Sequence, residues 1–144
     1  MSQAYDASAF EPPPEAVDFY VESLKLLDES GIPFLLSGTY ALSCYTGLIR
    51  PTKDVDVFAK AGDALRMLSY FKEHGFDVEI VDDRWLARVT RGEQFVDIIT
   101  NMPTSATHVT DDWFQDAPEA MIFDTKVRLV PPTQFVWSKI YVQD

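Results

Sequence analysis

Residues 54–58 read Asp-Val-Asp-Val-Phe, and this alternation constrains the fold more than any other stretch of the chain. In a strand successive side chains point to opposite faces, so Asp54, Asp56 and Phe58 share one face and Val55 and Val57 take the other. The valine face asks for a core. The opposite face carries two carboxylates about 6.6 Å apart along one strand, which repel each other and resist burial. A cation between them relieves both problems. Hard oxygen ligands at this spacing suit Mg²⁺, which keeps waters and takes the rest of its shell from phosphates. The plainer reading is a solvent-facing strand with two surface aspartates.

The preceding residues weigh against that plainer reading. Pro33-Phe-Leu-Leu36 is an apolar strand run, Ser37-Gly38 is a turn, and Thr39 to Tyr45 has helical character. A strand-turn-helix junction presents free N–H groups at the helix start, where an anion is favoured. Gly38 allows a phosphate close to the backbone, and Ser37 adds a hydroxyl donor. Arg50-Pro-Thr-Lys53 then forms a stiff basic turn directly ahead of the acidic strand. Arg50 and Lys53 either neutralise phosphate charge or offset the neighbouring carboxylates. Thr52 is either a phosphate partner or a turn residue. Further on, Phe95, Asp97 and Ile99 share one face of a strand, and an Asp between apolar neighbours is costly unless it is paired. A shared metal with Asp54 and Asp56 explains it, as does a hydrogen-bond partner at a sheet edge. Arg88 either belongs to this acidic site or faces water.

Leu36-Ser-Gly-Thr-Tyr-Ala-Leu42, Gly47-Leu-Ile-Arg-Pro-Thr-Lys-Asp-Val-Asp-Val57 and Asp97 together resemble the nucleotidyltransferase superfamily that includes DNA polymerase beta. Within it the likeness is greatest to the small bacterial members grouped with the AbiEii and MNT-type toxins. Gly38 matches the second glycine of the family turn, and Ser37 stands where most members carry the first. The resemblance implies a mixed α/β (α+β) fold, a twisted sheet with helices packed mainly on one side. It implies Mg²⁺-dependent transfer of a nucleoside monophosphate from an NTP to a hydroxyl or phosphate acceptor. Asp54, Asp56 and Asp97 are then the metal ligands and catalytic carboxylates. Ser37 and Gly38 hold the donor phosphates, with Arg50, Thr52 and Lys53 beside them. Lys139, on a helix after a Pro-containing turn, matches the family lysine that contacts phosphate or orients the site. Otherwise Lys139 is a surface lysine on an amphipathic helix. A member that has lost catalysis and serves as a binding or regulatory module is the alternative.

Composition narrows the partners. The chain has 144 residues, of which 47% are hydrophobic, enough for one domain with a core. With 23 acidic and 12 basic side chains the formal charge is −11, which argues against broad binding of long duplex nucleic acid. The acceptor is left open among a small molecule, a protein side chain and a tRNA end. The single cysteine, Cys44, excludes an internal disulfide framework. No signal peptide or membrane-length apolar run is present, so the cytoplasm is the expected location.

The remaining elements follow from periodicity. Residues 1–14 read as a flexible segment and 15–144 as one nucleotidyltransferase-like domain. Val17, Tyr20, Val21, Leu24 and Leu27 form a helical stripe that ends at Gly31. Ile32 to Leu36 is the first strand. Asp63 to His74 is a helix with Leu65, Leu68 and Phe71 inward, and His74 suits its last turn. Phe76, Val78 and Ile80 alternate, as do Trp85, Ala87 and Val89, with a hairpin turn at Asp82-Asp83. Residues 101–112 form a loop, a candidate lid or specificity segment, followed by a short helix through Trp113 and Phe114. Two short strands, 120–123 and 126–130, lead to Pro131-Pro132 and a last helix. That helix stops at Asp144, which leaves Phe135, Val136 and Ile140 in want of a partner, by self-association or from a further C-terminal segment.

Overall fold

The computed structural model describes residues 4–6, 14–37, 54–102, 107–115, 117–122 and 125–131. The expected helix over 39–45, Cys44, the basic turn 50–53 and the last helix lie outside these residues. Among them the strands are β1 (Ala4–Asp6), β2 (Leu35–Ser37), β3 (Asp54–Phe58), β4 (Asp77–Asp82), β5 (Leu86–Arg91), β6 (Gln94–Ile99), β7 (Asn101–Met102), β8 (Thr107–His108), β9 (Glu119–Ile122) and β10 (Thr125–Arg128). The helices are α1 (Pro14–Ser30), α2 (Ala61–Glu73) and the single turn α3 (Asp112–Gln115).

The main sheet has the order β2-β3-β6-β5-β4. β3 and β6 run parallel, and the other neighbours are antiparallel. The mixed, helix-backed α/β sheet is the architecture expected from the sequence. The alternation in β3 explains why this strand sits in the interior of the sheet. Val55 and Val57 are fully buried, and so are Val96, Ile98 and Val89 on the flanking strands. Each such side chain stabilises the fold by roughly 1.5–3 kcal/mol when taken out of water.

α1 and α2 supply the other half of the core. Tyr20, Leu24 and Leu27 of the expected stripe are buried, joined by Phe19 and Leu26. On α2 the buried set is Ala64, Met67, Leu68 and Phe71. This corrects the expectation for Leu65, which is 58% exposed. The 64–67–68–71 spacing already makes a complete helical stripe, and Leu65 falls on its flank. His74 caps the helix C-terminus as expected: its Nδ1 lies 2.8 Å from the Tyr70 carbonyl oxygen and its ring stacks on Tyr70. Gly75 follows in a left-handed conformation (φ 89°), which reverses the chain into β4. Ile80 lies opposite the buried Ala87, yet it is 54% exposed because β4 is an edge strand.

A second sheet, β1-β9-β10, abuts the first. Its link is a parallel bridge between Leu36 and Leu129, with the Val130 N–H donating to the Leu36 carbonyl at 2.9 Å. β1 pairs parallel with β9, a strand that hydrophobic patterning did not anticipate in so short and polar a segment. β9 and β10 form the expected hairpin, with Ile122 opposite Thr125. The described part of segment 101–112, the candidate lid or specificity segment, is tied down at several points: β7 pairs with β8, the Val109 N–H donates to the Thr100 carbonyl, and Val109 is buried, as is Trp113 just after it.

Candidate active site

The strand registers bring four of the polar residues into one line across the sheet. Ser37 of β2 lies opposite Asp56 of β3, Asp56 opposite Asp97 of β6, and Asp97 opposite Arg88 of β5. Register partners on adjacent strands share a face and lie about 4.8 Å apart. Two carboxylates and one guanidinium thus stand side by side, with a hydroxyl at the end of the row. The opposite face of the same strands is the valine core.

Local sequence explains each placement. Val55 and Val57 anchor β3 by their burial, which forces Asp56 to the other face. Val96 and Ile98 do the same for Asp97 in β6. Gly92, in a left-handed conformation (φ 64°), closes the β5–β6 hairpin and sets Arg91 against Gln94. Counting outwards from that turn puts Arg88 against Asp97. Sequence reading left Arg88 open between the acidic site and water; hairpin counting would have resolved it.

Arg88 grips the Asp97 carboxylate with two hydrogen bonds. Its Nε donates to Oδ1 at 2.7 Å and its Nη2 to Oδ2 at 3.3 Å. The guanidinium also lies over the Phe95 ring, 4.4 Å from the centroid. The Asp97 side chain is 15% exposed and that of Arg88 32%, so this pair is screened less than a surface ion pair. Asp56 is half-buried beside it, and Ser37 is buried.

Further along the same face, Phe58 is covered by Trp113 at a ring distance of 5.3 Å. Lys60, just beyond β3, donates to Asp111 at 2.8 Å. Its ammonium is pushed above the ordinary lysine range by that hydrogen bond and the attraction of the Asp111 charge. The 107–115 segment is thereby fastened to the end of β3.

The set of sequence-derived candidates divides as follows. Ser37, Asp56 and Asp97 are brought together. The backbone of Asp54 starts β3, opposite Phe95, and its side chain lies outside the described set. Gly38, Arg50, Thr52, Lys53 and Lys139 lie outside the described residues. Among the described residues no group of three or more His, Cys, Asp and Glu side chains is placed to hold a metal. The described pair, Asp56 and Asp97, offers carboxylate oxygens on one face of adjacent parallel strands, a donor set that fits a hard divalent ion.

Residues 16–144 match the sequence profile of a family described as nucleotidyl transferase of unknown function (DUF2204). No curated protein matches the chain in sequence. The fold is similar to that of several solved structures, among them the following three. One is a Thermotoga maritima protein assigned to the nucleotidyltransferases, with a TM-score of 0.68, 10% identity, and coverage of 94% of this chain and 89% of the other. Another is the lincosamide antibiotic adenylyltransferase LnuA bound to lincomycin, at 0.60 and 16% identity, covering 88% and 85%. The third is the enzyme ANT(2")-Ia in complex with adenylyl-2"-tobramycin, at 0.63 and 18% identity, covering 88% and 75%. The superfamily resemblance drawn from Leu36 to Val57 is borne out, and the narrower toxin grouping is not part of what these matches carry.

Proposed function

The chain belongs to the nucleotidyl transferase family, and from that premise we propose that it transfers a nucleoside monophosphate from an NTP to a hydroxyl or phosphate acceptor, with Mg²⁺ and release of pyrophosphate. The observation that carries this reading is the register of Asp56 and Asp97, neighbours on parallel strands with Ser37 alongside. Two anions side by side are unfavourable without a counter-charge. Arg88 supplies one positive charge in the described part of the row.

Asp54 and Asp56 would hold the ion that carries the donor phosphates, and Asp97 would complete a second position and accept the proton of the attacking hydroxyl. Divalent ions supply charge stabilisation for the attacking and leaving oxygens in such transfers. Ser37 and the Gly38 N–H would orient the donor phosphates. Arg50, Thr52, Lys53 and Lys139 would offset phosphate charge. The formal charge of −11 favours a compact acceptor over long duplex nucleic acid. Small antibiotics at the sites of LnuA and ANT(2")-Ia are compatible with an acceptor of that size.

The test is incubation with each NTP labelled at the α-phosphate, Mg²⁺ and a panel of small hydroxyl compounds, proteins and tRNA. Label must pass to one acceptor class and pyrophosphate must appear. Ser37 in the glycine position favours a second reading, a nucleotide-binding module without transfer. Metal-dependent nucleotide binding with no label passed to any acceptor would select it.

A further inference from the structure

Arg88 is built into the acidic row from two sides. It is the register partner of Asp97, and it donates to both carboxylate oxygens of that residue. Its guanidinium also lies on Phe95, which precedes Asp97 by two residues and shares its face. A planar fork against a carboxylate and a flat cation on a ring are both geometries that arginine supplies and lysine does not. Asp56 stands on the other flank of Asp97.

Two consequences follow from this placement. The guanidinium offsets part of the repulsion between Asp56 and Asp97. It also competes for the Asp97 oxygens and places a positive charge beside any arriving cation. A lone divalent ion therefore binds Asp97 less well than the carboxylates alone would allow. A nucleotide brings negative phosphates, which reverse that balance.

We propose that Arg88 is a positioning residue that holds Asp97 beside Asp56 and delays metal binding at Asp97 until nucleotide phosphates arrive. The inference rests on the reading of Asp56 and Asp97 as metal ligands given above. Arg88 contacts no reacting atom in this scheme.

The experiment is a Mn²⁺ titration followed by electron paramagnetic resonance, on the wild type, Arg88→Met and Arg88→Lys. Each is measured alone and with a non-hydrolysable NTP analogue. Arg88→Met keeps an apolar stem over Phe95 and removes the charge. It is expected to bind Mn²⁺ alone about tenfold more tightly, a difference typical of one nearby charge at a half-exposed site. The gain should shrink with the analogue present and vanish when Asp97→Asn is added. Arg88→Lys keeps a charge but loses the two-oxygen fork and the stacking on Phe95, so its Mn²⁺ affinity should fall between those of the wild type and Arg88→Met.

Unchanged or weaker Mn²⁺ binding in Arg88→Met overturns the proposal. So does Mn²⁺ binding in Arg88→Lys that is weaker than in the wild type; this result decides the matter if Arg88→Met does not fold. A wild type whose Mn²⁺ binding is untouched by both Asp56→Asn and Asp97→Asn would sink the metal-ligand reading itself, and this inference with it. Wild-type binding that depends on both aspartates, with no gain in Arg88→Met, would sink only the role given to Arg88.

Discussion

Asp56 and Asp97 carry the chemical reading, and their substitution is its sharpest test. Asn keeps the size of the side chain and removes the charge. Asp56→Asn and Asp97→Asn should each lower label transfer about a thousandfold, the several kcal/mol expected when a metal carboxylate is lost. Far-ultraviolet circular dichroism should stay unchanged, because neither residue is in the valine core.

Asp82 behaves differently, as a structural carboxylate. Its side chain accepts from the Arg84 guanidinium at 2.9 and 3.1 Å and from the Arg84 backbone N–H at 2.9 Å. Those bonds hold its pKa at about 2, below the ordinary 3.8. A depressed carboxylate contributes stability that is present above its unfolded pKa and lost as pH falls through the folded one. The melting difference between wild type and Asp82→Asn should therefore be largest above pH 4 and fade towards pH 2. Thermal melts across that range check it. The pair is exposed, so the difference will be small.

At the scale of elements, the Ser, Thr, Asp and Pro content of residues 101–112 reads as a loop, followed by the short helix that the structure shows at Asp112–Gln115. Trp113 makes it part of the core, packed on Phe58 two residues beyond Asp56. Trp113→Ala should cost about 3–5 kcal/mol in denaturant unfolding, the usual range for a buried large aromatic. A segment that acted as a mobile lid would lose far less. On α2, Leu65→Glu should change stability by less than about 0.5 kcal/mol, since that side chain is already exposed. Phe71→Ala, on the buried stripe, should cost several times more.

For the whole molecule, linkage offers a test that needs no acceptor. A ligand that binds only the folded chain raises its stability, by about 2.7 kcal/mol at a hundredfold excess over Kd. Mg²⁺ with an NTP analogue should raise the melting temperature of the wild type and leave Asp56→Asn nearly unmoved. Equal shifts in both proteins would place the ligand elsewhere. Among the described residues no helix is long and apolar enough to cross a membrane.

Much of this protein could be read from local pattern alone. The period-two run at 54–58, the stripe on α1 and the turn at Gly92 depend on neighbours a few residues apart, and their geometry follows from backbone period and glycine conformation. Hence β3, α1, the β5–β6 hairpin and the apolar faces of the strands were legible. What tertiary structure decided was non-local. Parallel pairing of β3 with β6 across about 40 residues has no short-range signature, because its register is set by the packing of both valine faces against the helices. The same holds for Trp113 on Phe58, for the exposure of Leu65 and Ile80, and for the contact of Arg88 with Phe95 and Asp97. Each depends on which surfaces compete for burial once the sheet has formed, and no stretch of chain contains that competition by itself.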